Sequence, residues 1–429
     1  MFLISRTVAQ AVVWIAMLLL AASAFAGPTP SSIPWAPLTL AQAASRLMRV
    51  NPGILGAQQK QEVLWHQAVA AAQLPDPEIG LMAENFPANN PMMPSQGPNA
   101  MLSLGISQRL PPFGQRQYRS EELQEKNRAA FYGIATTRAE SLLALRLAWF
   151  DAISTKQALW VLRTQRDLET ESVQAALARF RAGFAPESDV LQAQLGEQAL
   201  ANRVAQVRAL HAAARARIAE LLNAMSLPEL AADWPAIPKP PALETIESDL
   251  SGNPVLRQSQ AIRHAAERGV EVAKSEYYPD ITVLGSYGNS YYPGMPNTLT
   301  IGIRFSLPIF TSRRQDQVLD AARAKARASG YEYQEQSLSM LRRVRTLFAQ
   351  YASTETQLQR TQRVLLPTAK AAFAAALAAY TTGETDMTNL LRAQRSVLEY
   401  SLAGIQLHRE FVSAQAELDY LATQVEQHP

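Results

Sequence analysis

The apolar positions of this chain change period in a fixed order, and then repeat that order. From Asn297 to Leu307 (NTLTIGIRFSL), Leu299, Ile301, Ile303, Phe305 and Leu307 alternate with Thr300, Gly302, Arg304 and Ser306, the period of two of a half-covered strand. The earlier stretch MLSLGISQRL sets Leu102, Leu104, Ile106 and Leu110 on one side and Ser103, Gly105, Ser107 and Arg109 on the other. A partner strand precedes each, EIGLMAENF and DITVLGSYGNSYY, across the Pro- and Gly-punctuated loops PANNPMMPSQGP and PGMP. The pattern predicts two hairpins, from strands 78–86 with 99–110 and 280–292 with 297–307.

Between the hairpins the period becomes helical. Helices are predicted over 40–73, 116–182, 187–223, 254–276, 313–382 and 387–427. Residues 116–182 contain no proline and one glycine, Gly133, and would span ~100 Å as one helix. Residues 313–382 are interrupted only by Gly330 and Pro367 and would span ~105 Å. Val344, Tyr351, Leu358 and Leu365 fall seven apart, as do Leu391, Leu398, Ile405 and Val412, which is the seam of a coiled coil. Gly183 and Gly383 are placed to end their helices in the left-handed conformation at tips 183–186 and 383–386, so that each long helix turns back into a helical hairpin. Five prolines in Ser226–Leu243 predict an extended belt within 226–250.

The landmarks recur at nearly constant spacing. Asn253 follows Asn51 by 202 residues, Pro279 follows Pro77 by 202, Leu307 follows Leu110 by 197 and Gly383 follows Gly183 by 200. This spacing predicts an internal duplication of large units, 27–250 and 251–429, not a short-period solenoid.

A strand of about 10 residues with one apolar and one small or polar face has the length and pattern of a transmembrane β-strand. Tyr287, Tyr291 and Tyr292 cluster at one end, as an interfacial belt would. Two hairpins supply too few strands for a barrel, which needs at least about eight, and an open edge cannot face lipid. The chain is therefore expected to oligomerise. Residues 1–26 carry Arg6, the apolar run Ala11–Ala22 and Ala24-Phe25-Ala26, the layout of a cleaved secretory signal. No later stretch is expected to approach the length of a membrane-spanning helix.

The chemistry of the chain is spare. There is no cysteine, and His66, His211, His264, His408 and His428 show no ligand spacing, so neither a metal site nor a cofactor is indicated. Met92 and Met93 form a thioether pair in a loop, a composition more often simply loop than a Cu(I) ligand set. Nucleophile elbow, phosphate loop and HExxH motifs are missing, which argues against an enzyme. With 40 basic and 37 acidic residues, the charge gives no case for nucleic acid.

The order of signal, LTLAQAASRLMRVNPGIL, LPDPEIGLMAENF, hairpin, LPPFGQRQ, long helix and tip glycine, followed by its repetition, resembles the TolC family of outer-membrane efflux proteins. PDPEIGLMAENF resembles the subgroup serving heavy-metal exporters of the resistance-nodulation-division type. The resemblance implies a mainly α fold with a transmembrane β-hairpin pair. Long coiled-coil hairpins would form a trimeric α-barrel, continued by a 12-stranded β-barrel from four strands per chain. It implies an outer-membrane conduit with a long periplasmic portion, a periplasmic adaptor and an inner-membrane pump as partners, and heavy-metal cations as cargo; drug efflux or protein secretion is the alternative. A periplasmic coiled-coil adaptor or scaffold is the alternative of another class, against which the four alternating strands stand.

In the family, the second tip carries a tyrosine three residues before the glycine and acidic residues six and nine after it. Here Tyr380 matches, while Asn389 and Arg392 stand at the acidic positions. The first tip has Phe180, Asp189 and Gln192 at the corresponding places. Negative charge nearby would have to come from Asp189, Glu384 or Asp386, two of which, Asp189 and Asp386, are equally placed to cap helices. Phe180 and Tyr380 are expected to pack at helix ends. Ser103, Arg109, Thr300 and Arg304 are expected to line the barrel lumen.

Overall fold

The computed structural model describes residues 37–424 apart from 90, 97, 98 and 293. The signal expected over 1–26, together with His428, lies outside the described residues. The helix expected over 40–73 is two, α1 (Leu40–Val50) and α2 (Pro52–Ala71). The break is at Asn51, whose backbone is extended (φ −68°, ψ 120°), because the residue before a proline is driven out of the helical region. Thr39 starts α1 with a reciprocal capping box, its hydroxyl accepting from the Gln42 N–H while the Gln42 side chain accepts from the Thr39 N–H.

The remaining elements are β1 (Glu78–Glu84), β2 (Met101–Leu110), α3 (Gln115–Arg181), α4 (Glu187–Leu221), α5 (Leu243–Asp249), α6 (Pro254–Ser275), β3 (Ile281–Ser290), β4 (Thr298–Phe305), α7 (Gln315–Arg360), α8 (Leu366–Thr382) and α9 (Met387–Ala422). The belt assigned to 226–250 ends in a helix, α5, which starts where the stretch expected to be extended, Ser226–Leu243, stops: the last proline is Pro241, and LETIESD then closes two turns by burying Ile246.

The long helix expected over 313–382 starts at Gln315 after a short 3-10 turn and is interrupted by a π turn at Thr361–Leu365. Pro367 has no N–H to give the preceding turn and sits at the start of α8, and the wide turn absorbs that loss. The heptad phase shifts there: Val344, Tyr351 and Leu358 are buried, while Leu365 is only half-buried. The same region corrects a second expectation, because a window in the helix Gln315–Thr382 is long and apolar enough by composition to cross a membrane. Eight of the 17 residues of α8 are alanine, which raises hydropathy while burying little area, and the small side chains suit close helix packing.

The chain divides into two compact units, one comprising the part up to Asn51, Leu145–Pro235 and Thr385–Arg392 and the other Pro52–Ala144, Ala236–Glu384 and the remainder from Ala393. In the first, Leu47, Trp149, Phe150, Leu162, Ile218 and Leu222 are fully buried, and the Phe150 and Trp234 rings lie 6.3 Å apart. The belt is held by its backbone: Leu38 N–H donates to the Glu229 carbonyl and Ala231 N–H to the Leu38 carbonyl, both at 2.9 Å. Arg215 donates to the carbonyls of Leu227 and Pro228, and Lys156 pairs with Glu229. In the second unit, Ile246, Leu256, Val344, Tyr351 and Leu418 form one buried cluster, and Tyr351 stacks on Phe411 with ring centroids 5.0 Å apart.

Candidate functional site

The second unit contains one four-stranded antiparallel sheet in the order β1-β2-β3-β4. Residues directly opposite each other across a ladder point to the same side, so the register sorts the strands into two faces. One row is Leu81, Leu104, Tyr287 and Leu299, and the next on the same face is Ile79, Ile106, Gly285 and Ile301. Val283 opposite Ile303, and Ile281 opposite Phe305, continue it. The large side chains of these two rows, with Ile303 and Phe305, are each more than half exposed, from 54% at Phe305 to 76% at Ile301. A water-soluble surface seldom carries so continuous an apolar patch.

The opposite face is small and polar. Its rows are Gly80, Gly105, Ser286 and Thr300, then Met82, Ser103, Gly288 and Thr298, on the other side Glu78, Ser107, Leu284 and Gly302, and then Arg109, Thr282 and Arg304, with Leu284 and Met82 the apolar exceptions in these rows. All four residues predicted to line a lumen, Ser103, Arg109, Thr300 and Arg304, therefore share this face. Ser103 is buried by its neighbours, its hydroxyl lying 3.0 Å from Glu84 Oε1 and 3.3 Å from the Met82 carbonyl oxygen. Arg109 pairs with Asp280, whereas Thr300 and Arg304 lie exposed on β4. Glu84, Asp280 and Met101, which accepts from the Thr298 hydroxyl at 3.6 Å, also belong to this face. They were missed because a strand pattern does not reveal which side chains meet across it. The outer edges of β1 and β4 pair with nothing in the described chain.

The strand ends are shorter than predicted: β1 stops at Glu84, before Phe86, and β3 at Ser290, before Tyr291 and Tyr292. The Phe86 and Tyr291 rings meet edge to face at 5.8 Å at this end of the sheet.

The tip turns share one geometry. Gly183 and Gly383 have φ of +80° and +83°. At the first, Gly183 N–H donates to the Phe180 carbonyl at 3.0 Å and Phe184 N–H to the Arg179 carbonyl at 2.9 Å. At the second, Gly383 N–H donates to the Tyr380 carbonyl at 3.2 Å and Glu384 N–H to the Ala379 carbonyl at 2.8 Å. Both pairs are the two bonds of a Schellman helix ending, and the left-handed residue it requires is the reason for glycine. Tyr380 is buried as expected, but Phe180 is 42% exposed and does not pack at its helix end.

The acidic residues of the tips differ in role. Asp386 caps α9, its Oδ1 accepting the Asn389 N–H at 2.8 Å. The Asn389 side chain accepts from Arg392 at 2.8 Å and donates to the Thr385 hydroxyl at 3.2 Å, so Asp386 holds the Asn389 backbone and Arg392 its side chain along the exposed start of the helix. Asp189 lies inside the first turn of α4, whose cap, Pro186, has no side-chain acceptor; its charge favours the helix dipole there without capping it.

Among the described residues, no group of His, Asp and Glu is arranged to hold a metal ion.

Residues 245–423 match the family of outer membrane efflux proteins. The chain is 24% identical over 366 residues to the cobalt-zinc-cadmium resistance protein CzcC of Cupriavidus metallidurans, an alignment covering 85% of this chain and 84% of that one. Its fold superposes on the crystal structure of CusC with a TM-score of 0.76 at 16% identity, covering 93% of this chain and 98% of the other. It superposes on the outer membrane channel CmeC of Campylobacter jejuni with a TM-score of 0.77 at 14% identity, covering 94% and 91%. The resemblance to the TolC family therefore holds: 245–423 is similar to outer membrane efflux proteins, and the fold over more than nine-tenths of the chain is that of these solved structures.

Proposed function

We propose that this chain is the outer-membrane channel of a tripartite efflux system, a passive conduit fed by a periplasmic adaptor and an inner-membrane pump of the resistance-nodulation-division type. The observation that carries the proposal is the two-faced sheet, with Leu81, Leu104, Leu299 and Ile301 bared on one side, serines, threonines and glycines on the other, and two open edges. Lipid covers such an apolar face, and closure removes the edges. Three copies, pairing β1 of one with β4 of the next, turn four strands per chain into a 12-stranded barrel. Ser103, Arg109, Thr300 and Arg304 then line its lumen, and the helical hairpins continue it through the periplasm as an α-barrel.

The two-copy design comes from duplication of 27–250 as 251–429. Matched tip turns at Gly183 and Gly383 support this. The tips, with Phe180, Asp189, Tyr380, Asp386, Asn389 and Arg392, form the periplasmic rim that seals and meets the adaptor. Its polar residues Asp386, Asn389 and Arg392 make the constriction mixed in charge, not purely acidic.

The cargo is heavy-metal cations, which the CzcC relative supports through the cobalt, zinc and cadmium of its name. A coiled-coil adaptor, the alternative of another class, has no use for an exposed apolar sheet face. Growth of a deletion strain on cobalt, zinc, cadmium, copper and silver salts, beside a panel of dyes and antibiotics, tests the cargo: metal sensitivity ahead of drug sensitivity is the expected result. Membrane fractionation tests the channel itself, since an adaptor without an anchor washes off with salt and a barrel needs detergent.

A further inference from the structure

Beside the polar face of the sheet, the starts of α3 and α7 border an open cavity of about 440 Å³. Arg109, Arg119, Arg313 and Arg314 line it against only two acids, Glu276 and Asp280, and Asp280 is already paired with Arg109. The side chains of Arg119, Arg313 and Arg314 are exposed and have no hydrogen-bond or ion-pair partner among the described residues. Conduction by itself requires no such excess of charge.

Two further features point the same way. Gln115 and Gln315, which begin α3 and α7, line the cavity with only 6% and 8% of their surface exposed, yet neither side chain makes a hydrogen bond with the described residues. Their amide atoms retain access to solvent, so both are free to meet a ligand that enters the cavity. In addition, α7 begins on Arg314 with no side-chain cap; Asp316 in its first turn is engaged by the Tyr277 hydroxyl, and the opening N–H groups still favour an anion.

Exposed guanidinium groups without partners, an uncapped helix start and two unpartnered amides are all satisfied by one acceptor carrying negative charge. We propose that this cavity binds an oxyanion of the phosphate class, held by Arg119, Arg313 and Arg314, by the backbone N–H groups opening α7, and by the amides of Gln115 and Gln315. The same chemistry has two sources. A free oxyanion reaches the cavity from the polar side of the sheet, and a phospholipid headgroup reaches it past Leu307, Ile309 and Phe310, which line the cavity and are 70%, 71% and 76% exposed.

The test titrates the full-length protein, purified in non-ionic detergent, with sodium phosphate and sodium sulfate against sodium chloride at fixed ionic strength, followed by calorimetry. Native mass spectrometry of the same sample detects retained phospholipid. Saturable binding of phosphate, weakened tenfold or more by Arg313→Gln/Arg314→Gln and also by the charge-neutral Gln315→Leu, is the expected result for a free anion. A retained phospholipid lost in the same variants identifies the headgroup as the source. If the double variant does not fold, Arg119→Gln and Gln315→Leu carry the comparison. Absence of both phosphate binding and retained lipid, or binding that none of the folded variants weakens, overturns the proposal.

Discussion

Asn253 donates its side-chain amide to the carbonyl of Leu421, 3.1 Å away and fully buried, and Asn51 makes the same bond to the carbonyl of Leu221 at 3.0 Å. The donors are 202 residues apart and the acceptors 200 apart. In each case an Asn-Pro pair that starts a helix also holds the C-terminal turn of a returning one. Asn253 Oδ1 additionally caps α6 by accepting the Val255 N–H at 3.0 Å. Replacing it by alanine removes both bonds and leaves a buried carbonyl unmet, so Asn253→Ala is expected to cost about 1–3 kcal/mol, read as a lowered denaturation midpoint. A midpoint unchanged from wild type would show that the clamp contributes nothing.

The parts legible in the sequence were those set by local pattern. Alternation around Leu104 and Ile301 marked the strands and their faces, and Gly183 and Gly383 marked the turns, because a left-handed helix end admits almost no other residue. The parts that were not legible depend on distant partners. Nothing near Asp280 indicates that it meets Arg109, and nothing in the proline-rich belt announces α5, whose helix exists because Ile246 reaches the cluster around Val344. The π turn at Thr361–Leu365 was hidden for another reason: Pro367 leaves the helix intact and changes only its phase.

Opposite faces of the sheet should tolerate opposite substitutions. Ile301→Arg sets a charge on the apolar face and is expected to cost roughly 2–4 kcal/mol if near the bilayer midplane, whereas Arg304→Leu on the polar face should leave assembly intact. Heat-modified mobility and yield of the detergent-extracted protein measure both. Equal tolerance at the two positions would contradict the faces set by the register.

At the tip, a Cβ on Gly383 meets no atom within 4 Å, so the cost of Gly383→Val is chiefly backbone strain, roughly 1 kcal/mol or more from its φ of +83°. The variant should keep its place in the membrane at normal levels while losing export through poor sealing or adaptor docking. Crosslinking to the adaptor in cells, paired with single-channel conductance, reads this. Unchanged crosslinking, conductance and export would make the turn a strut and not a rim.

Acid should loosen the belt side of the first unit. His211 Nδ1 lies 3.1 Å from the Ala152 carbonyl oxygen and 3.0 Å from the Thr155 hydroxyl. Burial, reinforced by Arg215 and Lys156 against the opposing pull of Ala152 and Glu229, keeps its pKa below the ordinary histidine value. The folded protein thus holds His211 neutral where the unfolded chain, with a pKa of about 6.5, takes up a proton. Its contribution is complete above that pH and is lost progressively as pH falls toward the lower folded value. Thermal midpoints from pH 7.5 down to 5 should fall less steeply in His211→Gln than in wild type; parallel curves would remove His211 as a source of acid sensitivity.

The measurement closest to the central proposal is the mass of the purified, detergent-solubilised protein by light scattering corrected for bound detergent. Four strands per chain cannot close a barrel alone, so the polypeptide mass should be three times that of one chain. A monomer or a dimer would contradict the closed channel.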